Sequence, residues 1–210
     1  VSGVSPEYLR PADGIVHVAS APGSSRGGVT WNGIVYRVLG SKLCTVAANG
    51  TIAILGDVGN DGKRCSLDYS FNLLGVASAG RLYYWNGLTV QEVTDPDIGV
   101  VLDVRWISGY WMTTDGESIV VSDLTDPTSV NPLRYGSAEA DPDPVLAIDE
   151  RANEAYAMGR HSIEIFQNVG GDGFPFRRVD GAKVGRGVIG THAFAELQGP
   201  RALVGGGRTA

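Results

Sequence analysis

The sequence predicts an all-β fold of repeated antiparallel sheets, and three observations carry that reading. Apolar residues recur at period two, as in Ile34, Tyr36 and Val38, Ile52 and Ile54, Leu82 and Tyr84, and Ile163 and Ile165, the alternation of strands rather than helices. Asn-Gly or Asp-Gly pairs stand at 32–33, 49–50, 61–62, 86–87 and 115–116, where tight hairpins need residues that tolerate positive φ. One unit, a strand, a glycine turn and a second strand, repeats with turn glycines Gly40, Gly80, Gly116 and Gly159, spaced 40, 36 and 43 residues apart.

A period of about 40–50 residues is that of a four-stranded propeller blade, so the predicted fold is a β-propeller of repeated four-stranded antiparallel blades. The repeating pairs are Val35–Leu39 with Leu43–Val46, Leu73–Ser78 with Leu82–Trp85, Tyr110–Thr114 with Ile119–Ser122, and Glu154–Met158 with Ile163–Phe166. Inner strands are expected at Gly27–Trp31, Ser66–Ser70, Val101–Ile107 and Val145–Asp149. Outer strands are expected at Thr51–Val58, Leu88–Thr94 and Phe174–Val179, and the third unit shows no convincing one.

The expected organisation is an N-terminal extension with one strand (1–26), blades over 27–64, 65–100, 101–144 and 145–183, and the start of a further blade over 184–210. Four blades and part of a fifth leave the propeller incomplete, and the chain reads as a piece of a longer polypeptide. A β-sandwich or two stacked β domains would also give many short strands with turn signals.

Composition narrows the function classes. Glycine takes 30 of 210 positions with 10 prolines, about twice the usual ~7% glycine, which leaves little room for long helices. With 43% hydrophobic and 19% charged residues the chain can bury a core, and no apolar run reaches the roughly 18 residues that span a bilayer. Lys and Arg number 17 against 23 Asp and Glu, a net charge of −6. Such a chain gains little from neutralising phosphates, so sequence-specific nucleic-acid binding is not expected. Cys44 and Cys65 have no metal-ligand spacing and read as reduced, buried thiols.

No catalytic, cofactor-binding or metal-binding residue is predicted, and the chain is not expected to be an enzyme. His17, His161 and His192 lack a carboxylate, Cys or second His at ligand-like offsets. The stretch Asp57 to Asp68 has acidic residues at positions 1, 5 and 12 of a calcium-type loop and Gly62 at position 6, but Gly59 stands where an oxygen ligand is needed; it reads as a hairpin connection. Thr113–Ser118 is a plain hairpin, there is no Gly-x-Ser-x-Gly elbow, and Asn49-Gly-Thr51 is first a turn. The Gly-rich stretches 181–190 and 205–207 lack the Lys-Ser/Thr of a phosphate loop. The acidic loops Asp95-Pro-Asp97, Asp123–Pro127 and Asp141–Pro144 are read as turns and as candidate docking surfaces. One of Tyr83 and Tyr84 is expected to be exposed, since neighbours on a strand face opposite ways.

A collinear series of segments points further. It runs from Tyr8-Leu-Arg-Pro-Ala-Asp-Gly-Ile15 through Val35-Tyr-Arg-Val-Leu-Gly-Ser-Lys-Leu43, Gly56-Asp-Val with Gly62-Lys, and Asp103-Val-Arg with Gly109-Tyr-Trp and Asp115-Gly. It continues with Ser122-Asp-Leu-Thr-Asp-Pro127, Arg134-Tyr135, Asp141-Pro-Asp143, Ser162-Ile-Glu-Ile-Phe166, and Phe174-Pro-Phe with Gly181 and Gly187. In this order the chain resembles the packaged-DNA stabilisation proteins, or tail hubs, of short-tailed phages. The resemblance implies a virion structural protein of a phage or prophage, assembled in the bacterial host cytoplasm and located in the tail. It further implies a homo-hexamer that closes the portal channel and connects the portal adaptor ring, the tail needle and the tailspikes, with no cofactor and no membrane contact. The alternative reading is a β-propeller module that binds carbohydrate or protein.

Overall fold

The computed structural model describes residues 14, 16–137, 143–196 and 200–207. Its strands fall into four four-stranded antiparallel sheets and one two-stranded sheet. The first holds β1 (Ser25–Trp31), β2 (Ile34–Leu39), β3 (Lys42–Val46) and β4 (Ile52–Asp57), and the second β5 (Ser66–Tyr69), β6 (Leu74–Ser78), β7 (Arg81–Trp85) and β8 (Val90–Glu92). The third holds β9 (Asp103–Ile107), β10 (Tyr110–Thr114), β11 (Ser118–Ser122) and β12 (Val130–Ser137), and the fourth β13 (Ala147–Arg151), β14 (Glu154–Met158), β15 (Ile163–Asn168) and β16 (Phe176–Val184). The last pairs β17 (Phe194–Glu196) with β18 (Arg201–Leu203). Within each sheet the strands lie in chain order, and the first strands converge, β1 on β5, β5 on β9 and β9 on β13. That is the blade arrangement of a propeller.

Period two explains why the blades stack. Trp31, Tyr36, Val38 and Leu43 of the first sheet meet Leu74, Val76, Tyr83 and Trp85 of the second. The other face of that second sheet sends Ala77, Leu82 and Tyr84 against Val104, Trp111 and Val120 of the third. Ile107, Met112 and Val121 then meet Ile148, Ala157 and Phe166 of the fourth. Since both faces of an internal blade are covered, Tyr83 and Tyr84 are both buried, and the expectation that one would be exposed is corrected.

Three elements differ from the sequence reading in place or extent. The third sheet does have an outer strand, β12, whose Pro132 and exposed Leu133 hide its alternation; a proline is tolerated at a sheet edge because that N–H would face solvent. β1 begins at Ser25, inside the stretch expected as an extension, while 16–24 hold no strand and residues 1–13 and 15 lie outside the described residues. β16 reaches Val184, one residue past the expected blade end.

Gly75, the second residue of β6, lies under the indole of Trp111, and a Cβ there would stand 2.5 Å from ring atom Cζ3. Gly75→Ala should therefore cost about 1–3 kcal/mol by forcing the blades apart. Equilibrium urea unfolding checks it; an unchanged midpoint would mean that the ring yields freely.

Candidate functional site

The meander divides the loops between two faces. The β2–β3, β6–β7, β10–β11 and β14–β15 hairpins share one face with the connectors between blades. The first and third hairpins of each blade lie on the other. The connectors are pinned to the hairpins beside them: Val58 N–H donates to the Ser41 carbonyl, Val101 N–H to Gly80 and Val188 N–H to Gly159, at 2.8 to 3.0 Å. All three valines are buried.

Arg26 fastens the first connector from below. Its guanidinium is 3% exposed and donates to the carbonyls of Gly40 (3.1 Å), Gly59 (2.8 Å) and Lys63 (2.6 Å) and to the Asp61 carboxylate (2.5 Å). The calcium-like stretch is thereby dispersed. Asp57 pairs with Lys42 and accepts from Ser41, Asn60 accepts from the Gly62 N–H, Asp61 holds Arg26, and Asp68 accepts from the Trp106 N–H of the next blade at 2.7 Å. No group of three or more His, Cys, Asp or Glu side chains among the described residues is placed to hold a metal ion.

Asp57 is held down to about 2, by Lys42 first and then by the Gly59 N–H and the Ser41 hydroxyl. A carboxylate with a depressed folded pKa stabilises the fold above its unfolded value of about 3.9. That contribution is lost as pH falls from there through 2. Asp57→Asn should flatten the stability profile between pH 4 and 2, measured as urea midpoint against pH, and an unaltered slope would place the acid sensitivity elsewhere.

In the acidic loops Asp95, Asp123, Asp126 and Asp143 serve the fold. Asp95 caps the 3₁₀ turn at Pro96–Ile98 and accepts from the Val130 N–H, Asp123 pairs with Arg134, and Asp126 accepts from Thr128. Asp143, expected as a docking residue, is buried, and its carboxylate accepts the N–H groups of Arg160, His161 and Ser162 and the Ser162 hydroxyl. This is a correction: a carboxylate that closes a hairpin is withdrawn from solvent. Burial alone would raise its pKa, but those donors outweigh it and leave it lowered. Gly159 makes the seat possible, since a Cβ there would stand 2.3 Å from Asp143 Oδ2. Asp141 lies outside the described residues. Asp143→Ala should cost about 1–3 kcal/mol by orphaning those donors, with loss of amide protection confined first to residues 160–162 by hydrogen exchange.

Cys44 and Cys65 are free and buried, and burial pushes both thiols up. His17 is exposed, His161 stands in the hairpin that Asp143 closes, and His192 lines a cleft. That cleft, about 890 Å³ on the connector face, is walled by Lys63, the Arg81–Glu92 ion pair, Asp95 and the exposed Val100 and Leu102. A second cavity of about 410 Å³ shares Arg64, Thr191 and His192 with it and is bounded by the inner strands. On the opposite face Phe71 and Leu88 are 87% and 85% exposed at hairpin tips. Phe71 stands edge-on to Trp106 at 5.2 Å, and Tyr69 stacks on Trp31 at 6.4 Å. These exposed apolar tips are held on the hairpins of packed blades.

The family model described as bacteriophage P22 Gp10, β-propeller, matches residues 1–210. The chain belongs to this phage-stabilisation family. Family membership makes it a phage virion structural protein concerned with stabilising packaged DNA. No curated protein matches. Among solved structures, the computationally designed Ika4 protein has 12% identity and a TM-score of 0.53 over 75% of this chain and 99% of its own. PorZ, an essential bacterial surface component of the type-IX secretion system of Porphyromonas gingivalis, has 14% identity and a TM-score of 0.51 over 74% of this chain and 22% of its own. At these identities the likenesses concern the fold alone.

The packaged-DNA stabilisation resemblance and the family match agree, whereas the residues that tie connectors to hairpins, Arg26 and Asp143, and those that tie one blade to the next, Asp68 to Trp106 and Asp103 to Ile148, were not legible as such. Their signal was a polar residue inside an otherwise apolar strand, or a lone Asp before a hairpin, which sequence alone does not separate from a surface charge.

Proposed function

We propose that this phage-stabilisation protein is a non-enzymatic hub of the virion tail that closes the portal channel and joins the portal adaptor ring, the tail needle and the tailspikes as a homo-hexamer. The match of the whole chain to the family carries this reading. Its chemistry is consistent: Asp61, Asp68, Asp95, Asp123 and Asp143 serve turns, ion pairs and blade contacts. With a net charge of −6, retention of DNA rests on blocking a channel and on protein contacts, not on counterion release. Phe71 and Leu88, apolar and exposed on rigid hairpins, are the contact points this reading nominates.

Deleting the gene from its phage should give heads that fill and then lose DNase-protected genomes, restored by the wild-type gene. A Phe71→Asp, Leu88→Asp double variant should fold yet fail to enter particles. Deletion particles that keep their DNA and fail only to bind cells would overturn the hub reading. They would favour a carbohydrate-binding module built around the exposed Phe71 ring and neighbouring Asn72, which a glycan array would detect.

A further inference from the structure

We propose that the 410 Å³ cavity against the inner strands is a binding site for a tetrahedral oxyanion of the phosphate class. Its basic lining residues are Arg64, Arg105 and His192, and no carboxylate lines it, although the chain as a whole is acidic. Ser66, in β5, lines the same cavity with only 4% of its surface exposed, and its hydroxyl has no hydrogen-bond partner. A buried hydroxyl left without an acceptor is costly, and an oxyanion supplies acceptors. Arg105 is already paired with the buried Asp103 and lies over the Phe194 ring, so it shapes the wall. The exposed charge is Arg64, which lines both cavities. The volume exceeds one anion and admits several waters at about 30 Å³ each.

His192 adds a pH dependence. Burial lowers its pKa and the Arg64 and Arg105 charges push the same way, while Asp103 and the Arg64 carbonyl oppose them. An anion in the cavity would favour the protonated ring, so binding should strengthen as pH falls. The oxyanion is carried either as free phosphate or at the end of a nucleic-acid strand, and either source leaves the hub reading untouched.

Calorimetric titration of the purified protein with inorganic phosphate, against sodium chloride at equal ionic strength, should show one saturable site. Arg64→Ala should weaken it at least tenfold and Ser66→Ala several-fold, with Lys42→Ala, on the outer part of the first blade, as an unaffected control. Sulfate, which does not titrate near neutrality, should bind more weakly at pH 7 than at pH 5. A 5′-phosphorylated oligothymidylate binding more tightly than both its unphosphorylated form and inorganic phosphate would assign the strand end; no such gain would assign the free anion. Heats matching the chloride control, unchanged affinity in both Arg64→Ala and Ser66→Ala, or a flat sulfate profile would overturn the proposal.

Discussion

Arg26→Ala should lower folding stability by about 3–5 kcal/mol, the range for breaking a buried charge from its partners. The guanidinium sits beneath the connector that joins the first two blades and satisfies three carbonyls and one carboxylate from four positions between Gly40 and Lys63. Its removal leaves those carbonyls without their donors and frees Asp61. Arg26→Lys should recover little, because an ammonium cannot reproduce the planar fork that reaches Gly40, Gly59 and Lys63 together. Urea unfolding measures the loss, and hydrogen exchange should show residues 58–64 opening before the strands. A loss below 1 kcal/mol would mean that water replaces the guanidinium at little cost, and that the connector is held by Val58 and its backbone alone.

Asp103→Ala should have an effect of the same size at the junction of the third and fourth blades. The Asp103 side chain is fully buried; Oδ2 accepts from the Ile148 N–H of the next inner strand at 2.9 Å, and Oδ1 accepts from the Val104 N–H and from Arg105. Truncation orphans a buried donor in the neighbouring blade and leaves Arg105 without its counter-charge, again about 3–5 kcal/mol. Asp103→Asn keeps an acceptor for Ile148 and should lose distinctly less. Equal losses in both variants would show that charge, rather than the link to Ile148, is what matters. Asp68 makes the corresponding reach to Trp106 one blade earlier, so Asp68→Ala with Asp103→Ala measures whether the two junctions fail independently.

Much of the fold was written in local sequence. The alternation in Leu82-Tyr-Tyr-Trp85 marked a strand, and the Gly40, Gly80, Gly116 and Gly159 turns marked the repeat, because hairpin chemistry and side-chain facing are decided within a few residues. β12 was hidden because an edge strand need not alternate: Pro132 and the exposed Leu133 satisfy no pattern. The acidic loops were legible as turns but not in their use. Asp95 reaches Val130 and Asp143 reaches Arg160 to Ser162 across many residues of chain, and no local spacing encodes which distant N–H a carboxylate will meet.

The sequence by itself determined the all-β class, the blade period and, through the ordered segments ending in Ser162-Ile-Glu-Ile-Phe166 and Phe174-Pro-Phe, the family. Only the tertiary structure decided that Tyr83 and Tyr84 are both buried, that Arg26 locks a connector, that Asp103 joins two blades, and that Arg64, Ser66 and His192 share one cavity. The physical reason is range. Strand alternation and turn chemistry act over two to four residues, whereas the covering of a second sheet face, or the meeting of Ser66 with His192, depends on how whole blades stack around an axis.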